Sequence, residues 1–143
     1  MSPTSVAALA PNGGPAIAAL LRAAVAEALP ALRAISEGDS RQRRHPTAWS
    51  TREIIGHLID SASNNHGRFV RAALEDSLVF PGYDQEAWVA LQGYHDQPWL
   101  GLLDRWAASN EQVACAIEQI SPAALGAPAD HPQPAPHRLA GRA

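Results

Sequence analysis

The feature that most constrains the fold is the spacing of the apolar residues, which recur every three or four positions through three long stretches. That period lines apolar side chains along one side of an α-helix. It predicts long helices over about residues 15–36, 50–75 and 98–120, and a shorter one over about 84–94. The alternation typical of a β-strand does not persist anywhere. We therefore predict an all-α fold in which helices pack on helices.

Two of these helices contain local sequence signals: one marks the start of a helix, and the other interrupts a helix. The second helix is preceded by Ser50-Thr51-Arg52-Glu53, which matches a capping box, because the Ser and Glu side chains can satisfy each other's free backbone N–H groups. In the first helix, Pro30 interrupts the apolar pattern. A proline lacks the N–H of an interior helical residue, so Pro30 is expected to bend the helix or end it early.

Composition divides the chain into three parts. Residues 1–13 are small and polar and predict a flexible leader. Residues 14–120 hold the helical patterns, and a 46% share of hydrophobic residues in the whole chain is enough for a packed core. Residues 121–143 contain five prolines in 23 positions and no periodic apolar face, so we predict an irregular tail there.

Charge and cysteine content exclude several classes of protein. A net charge of −3 and the absence of a basic face argue against nucleic-acid binding. The one cysteine, Cys115, has apolar neighbours and is expected to be a buried, inert thiol. No apolar run approaches the roughly 20 residues that cross a bilayer, and the start lacks the basic residues of a secretory signal. We therefore expect a cytoplasmic protein without a membrane partner.

A row of polar residues follows one side of the second helix. It lies next to the predicted apolar, core-facing side, which comprises Ile54, Ile55, Leu58, Ala62, Phe69 and Ala73. Such a row can line a cleft between helices, but it can equally be a solvated helix edge. His57 and Asp60 are spaced to share an ion, although two ligands alone make a weak site. The row comprises His57, Ser61, Asn64, Arg68 and Arg71.

Three segments resemble the DinB/YfiT-like superfamily. They are the runs from Trp49 to Ser61 (with Gly56-His57-Leu58-Ile59-Asp60 at its centre), from Asn64 to Arg71 and from Phe80 to Trp88, and the resemblance covers about residues 15–125. It implies a four-helix bundle with a long crossover. It also implies a divalent metal held by three histidines, one of which matches His57. The other two lie on the family's last helix as an H-x-x-x-H pair.

The end of the chain departs from that pattern. His131 and His137 are six residues apart in the Pro-rich segment and do not match the H-x-x-x-H pair, so the ligand role is not assigned to them. We predict that the final helix is missing or replaced by a Pro-rich tail. Without that helix the apolar faces of its neighbours are exposed, which favours a homodimer.

The resemblance implies a metal-binding protein of the metal-dependent transferase or hydrolase type, with the metal site incomplete here. Members of the family include thiol-dependent transferases. His57 would bind zinc or nickel, Asn64 and Arg68 would orient a small-molecule substrate, and Tyr83, Trp88 and His95 would shape the pocket. The alternatives are purely structural roles, as core aromatic residues for Tyr83 and Trp88 and as a surface histidine for His95. The alternative function is a non-catalytic, truncated bundle that dimerises or binds a small molecule.

Overall fold

Helices make up the regular structure of the chain in a computed structural model, which describes residues 13–75 and 79–120. No strand occurs within these residues, so the all-α prediction is confirmed. One-turn 3₁₀ helices lie at Asp39–Arg41 and Tyr94–Asp96. The α-helices are α1 (Gly13–Arg33), α2 (Thr51–Leu74), α3 (Gln85–Gln92) and α4 (Trp99–Gln119).

The helix boundaries follow the local signals of the sequence. Ser50 caps α2, where its Oγ accepts the N–H of Glu53 at 3.3 Å and the Glu53 carboxylate accepts the N–H of Ser50 at 2.8 Å. The predicted capping box is therefore confirmed. Asp84 caps α3 by accepting the N–H of Ala87 at 3.0 Å. Helix α1 contains Pro30 and ends three residues later at Arg33, as a proline near the end allows.

Helix α4 is the central element and packs against α1 and α2. The buried side chains form two clusters along it, and the Trp99 indole N–H donates to the Leu32 carbonyl of α1 at 3.0 Å. The first cluster contains Ile55, Val89, Tyr94, Trp99, Leu102 and Leu103. The second contains Ala18, Ala62, Val113, Ala114 and Ile117.

Ion pairs at half-exposed positions also connect α1 to α4. Arg22 of α1 pairs with Glu111 at 2.9 Å and with Glu118. Arg33 pairs with Asp104 at 2.9 Å. By length and composition α1 is apolar enough to cross a membrane, which corrects our expectation that no stretch reaches that length. This is weak evidence, because core helices of soluble proteins meet the same criterion.

The buried face of α2 is rotated from the apolar face that the sequence predicts. Ile55 is buried as expected, but Ile54 is 46% exposed and Leu58 is 39% exposed. Arg52 and Asp60 are buried instead. The segment around Tyr94 supplies polar partners to both charged side chains, through the Tyr94 hydroxyl to Asp60 and the Gln97 carbonyl to Arg52.

Two other predictions concern the rest of the chain. Cys115 is exposed rather than buried, since its position on α4 faces Glu111, whose Oε1 lies 3.4 Å from its Sγ. The leader and the tail at 121–143 lie outside the described residues, apart from Gly13, which begins α1. The predictions of a flexible leader and an irregular tail therefore stay predictions.

Candidate metal and substrate site on helix α2

Asp60 is the most unusual side chain on α2, because it is a carboxylate with only 3% of its surface exposed. Its Oδ1 accepts the Tyr94 hydroxyl at 2.6 Å and the Gln92 amide at 2.8 Å. Its Oδ2 is buried and has no hydrogen-bond partner. No cation pairs with Asp60 within the described part of the chain. A buried charge left in this state is costly.

His57 lies one turn before Asp60 on the same helix. Its Nδ1 is also buried without a partner. The imidazole packs against the Trp49 ring, with centroids 5.1 Å apart and an interplanar angle of 36°. With the proton on Nε2, Nδ1 is an acceptor. Two unpartnered acceptors one turn apart are a partial ligand set for a cation.

The set remains incomplete within the described residues. No group of three or more His, Cys, Asp or Glu side chains that could hold a metal occurs over residues 13–75 and 79–120. A structural zinc site takes four protein ligands, and a catalytic one takes three together with water. His57 and Asp60 therefore supply part of the ligand set that a metal ion needs.

Tyr94 fixes the position of the Asp60 carboxylate. Burial, then the hydrogen bond to Asp60, raises the pKa of the Tyr94 phenol well above its ordinary value, so the hydroxyl remains a donor. The Tyr94 ring lies directly on Gly56, where an added Cβ would be only 2.1 Å from Cδ2. Tyr94 and Gln92 have no signal of this role in the sequence, because contacts between distant segments leave no local pattern.

Tyr83 and Trp88 lie beside the polar row of α2. Their rings are 4.8 Å apart at an angle of 55°. Burial and the nearby Asp60 charge raise the pKa of the Tyr83 phenol, whereas Arg68 and a hydrogen bond to Ser61 oppose the rise. Tyr83 therefore lies close enough to both Asp60 and Arg68 for their charges to act on it. Trp88 is 40% exposed, so the alternative of a core tryptophan is wrong.

A small cleft of about 200 Å³ opens further along α2. Arg68 lies in it, with one guanidinium nitrogen 3.5 Å from the Asn65 amide oxygen. Asn64 donates to the Asp60 carbonyl at 2.9 Å, which leaves its amide oxygen available. The lining residues are Ser63, Asn64, Gly67, Arg68, Arg71, Phe80 and Pro81.

His95 is placed away from this cleft. Its Nδ1 lies 2.9 Å from Ser50 Oγ, at the start of α2 and two turns before His57. The neighbouring Arg52 is buried and bonds to Ser40 Oγ at 2.7 Å, to the carbonyl of Gln97 and to the carboxylate of Glu37. The structure thus brings Tyr83 to the α2 row and ties His95 to the helix cap. A role for His95 in the pocket stays a prediction.

Comparison with known proteins decides the family. The model of the DinB superfamily matches residues 20–143. The chain belongs to the DinB superfamily. The match runs through the segment that we predict to be an irregular tail, and that segment lies outside the described residues. The helical architecture is consistent with the superfamily's bundle.

One curated relative of this DinB superfamily member comes from Bacillus mycoides (strain KBAB4) and is named "Putative metal-dependent hydrolase". It is 32% identical over 62 residues, which are 41% of this chain and 36% of the relative. The aligned part thus spans about a third of that protein. No solved structure matches the chain.

Proposed function

We propose that this DinB superfamily member is a metal-dependent hydrolase in which His57 and Asp60 hold a divalent cation. The observation that carries the proposal is the pair of buried atoms without partners, His57 Nδ1 and Asp60 Oδ2. A cation at this point would satisfy both atoms and compensate the buried charge of Asp60. The name of the Bacillus mycoides relative favours hydrolysis over thiol transfer.

The metal that we propose is zinc or nickel, since both accept imidazole. No third His, Cys, Asp or Glu side chain joins His57 and Asp60 within the described residues, and we propose that water or a ligand from the rest of the chain completes the coordination. His131 and His137 are the histidines of the C-terminal segment. Their spacing differs from the family pair, so their contribution is a point for experiment.

A bound divalent cation supplies Lewis-acid chemistry and lowers the pKa of a coordinated water. The chain's own residues then have separate tasks. Asp60 is held in place by Tyr94 and Gln92. The Tyr83 phenol is protonated at neutral pH, as tyrosines ordinarily are, and burial raises its pKa further, so its hydroxyl can donate to a substrate oxygen. Asn64 and Arg68 orient the rest of the substrate from the neighbouring cleft.

The test is the metal content of dialysed, untagged protein after exposure to zinc and to nickel, measured by inductively coupled plasma mass spectrometry. We expect near-stoichiometric metal in the wild type. His57→Ala and Asp60→Asn should each lose most of it, because a site with few ligands depends on each one. The matched control is His66→Ala, which removes another imidazole from α2 and should retain the metal.

The same variants separate a metal role from a structural one. Asp60→Asn keeps the shape of the side chain and removes the charge, so the metal-free variant should unfold at a temperature no lower than that of the metal-free wild type. Added metal should raise the unfolding temperature of the wild type alone. Equal metal content in wild type, His57→Ala and Asp60→Asn would refute the proposed site.

A second candidate function is a dimerising module, and an open groove between α1, α2 and α4 favours it. The groove has a volume of about 310 Å³, and most of its lining side chains are apolar, among them Leu21, Leu58, Phe69 and Trp106. We propose that a second copy of the chain covers it. Five prolines in the last 23 residues make a covering helix from the chain's own end unfavourable. Association of the metal-free protein would support this candidate.

A further inference from the structure

We propose that Arg68 and Arg71 form a binding site for the carboxylate of a small organic acid. The two arginines line the cleft beside Phe80 and Pro81. This inference rests on the proposed function, because it names the class of substrate that the site on α2 accepts. It adds an anchoring point that is separate from the metal ligands.

Neither arginine forms an ion pair within the part of the chain that the structure describes. The ion pairs of residues 13–75 and 79–120 engage Arg22, Arg33, Arg43 and Arg52. Arg68 and Arg71 are three positions apart on one helix, where like charges repel each other. An anion between them would remove that repulsion.

The shape and chemistry of the cleft suit a small carboxylate. A guanidinium presents N–H groups in a planar fork that matches the two oxygens of a carboxylate. Arg68 is half-buried, and its side-chain hydrogen bond within the described residues is a long one, 3.5 Å, to Asn65. Phe80 and Pro81 give the cleft an apolar wall. A volume of about 200 Å³ accommodates a small acid rather than a polymer.

Arg68 lies on the same helix as His57 and Asp60. Arg68 follows Asp60 by eight residues, about 12 Å along a helix. Long side chains on a helix lean toward its N-terminus, and the guanidinium of Arg68 accordingly contacts Asn65, three residues earlier on α2. The charges of both Asp60 and Arg68 act on Tyr83. An acid anchored at Arg68 would therefore extend past Tyr83 toward the two unpartnered acceptors.

The test measures the binding of succinate to metal-free protein by NMR, through the side-chain Nε–Hε signals of the arginines and by titration of the affinity. Dimethyl succinate is the neutral analogue, and inorganic phosphate is the competing oxyanion. We expect succinate to shift the signals of Arg68 and Arg71, the ester to shift neither, and phosphate to bind more weakly. Higher salt should weaken the binding, because the contact is ionic and partly exposed.

Variants assign the effect to the cleft. Arg68→Gln and Arg71→Gln should each weaken succinate binding about tenfold or more, as expected for a hydrogen bond to a charged group. Arg44→Gln is the control, because Arg44 is also exposed but lies in the connector before α2. Arg71 is exposed, so its substitution leaves the core intact and keeps the test valid if Arg68→Gln folds poorly.

The outcomes separate this inference from the metal site. His57→Ala should bind succinate as well as the wild type does, so a failure of the metal proposal leaves this test intact. Equal losses in Arg44→Gln and Arg68→Gln would mean non-specific attraction and overturn the assignment. Phosphate binding as tight as succinate binding would overturn the choice of a carboxylate. Unchanged affinity in both cleft variants would overturn the site itself.

Discussion

At the scale of single residues, Tyr94 joins the hydrophobic core to the candidate site. Its ring belongs to the buried cluster that contains Trp99 and Leu102, and its hydroxyl donates to Asp60 at 2.6 Å. Burial and the neighbouring carboxylate both oppose ionisation of the phenol. A tyrosine in such a setting makes protein stability depend on pH in the alkaline range.

The sign of that dependence follows from the raised pKa. Below the ordinary value of 10.0, folded and unfolded chains both hold the phenolic proton, and the contribution of Tyr94 to stability is complete. Above it the unfolded chain loses the proton while the folded chain keeps it, so the free energy of unfolding falls. We expect urea denaturation to show this fall as pH rises past about 10.

Tyr94→Phe is the variant that checks this prediction. It should lower the free energy of unfolding at pH 7 by about 1–3 kcal/mol, because Asp60 loses a donor, and its stability should fall less steeply above pH 10. Tyr83→Phe serves as a comparison. Tyr83 is the other tyrosine of the chain, and because it is less buried its own raised pKa should contribute less to the fall. Parallel curves for wild type and Tyr94→Phe would contradict the assigned role.

The site residues show what a sequence reveals at this scale. The row containing His57, Asn64 and Arg68 could be predicted because side chains three or four apart on a helix lie side by side. The burial of Asp60 and Arg52 could not be predicted from the sequence. Their partners lie in segments that are remote along the chain, such as Gln92 and Glu37, and no periodic pattern encodes such contacts.

At the scale of elements, α2 meets the 3₁₀ turn at Gly56. An added Cβ there would lie 2.1 Å from the Tyr94 ring, and that ring is held by its hydrogen bonds. We expect Gly56→Ala to lower the free energy of unfolding by about 1–3 kcal/mol or more, because overpacking displaces a fixed core side chain. Chemical denaturation monitored by circular dichroism measures the change.

Gly67→Ala is the matched control on the same helix. A Cβ added at Gly67 would have no neighbour within 4 Å, so the substitution should raise stability by up to about 1 kcal/mol through the better helix propensity of alanine. Both variants exchange glycine for alanine inside α2, so the difference between them isolates the contact with Tyr94. A similar gain in both would show that the turn does not press on Gly56.

Helix boundaries can be predicted because their signals lie within a few residues of the chain. The contact between Gly56 and Tyr94 cannot, because it joins segments that are distant along the chain. The capping box at Ser50 acts within a few residues of the chain, so the sequence alone identifies it. The face that α2 buries depends instead on where the turn at Tyr94 packs. The apolar pattern therefore predicted Ile54 and Leu58 as core residues, and the structure exposes both.

At the scale of the whole molecule, the three long helices leave one apolar side of the arrangement open. Helix α4 packs on α1 and on α2, and the groove between all three is lined by Ile17, Leu58 and Trp106 together with other residues. Leu20 on α1 is exposed as well. Apolar surface that remains in contact with water favours association with a partner, and closed dimers are the commonest solution.

We expect Leu58→Gln to weaken self-association of the metal-free protein at least about tenfold, because each buried leucine contributes about 1.5–3 kcal/mol and a symmetric dimer loses two. Sedimentation velocity over a wide concentration range measures the dissociation constant. Leu91→Gln is the control, since Leu91 is 88% exposed on α3 and does not line the groove. A wild type that stays monomeric at every concentration would contradict the dimer and leave residues 121–143 as the segment to test for covering the groove. A dimer weakened equally by both substitutions would place the interface elsewhere on the molecule.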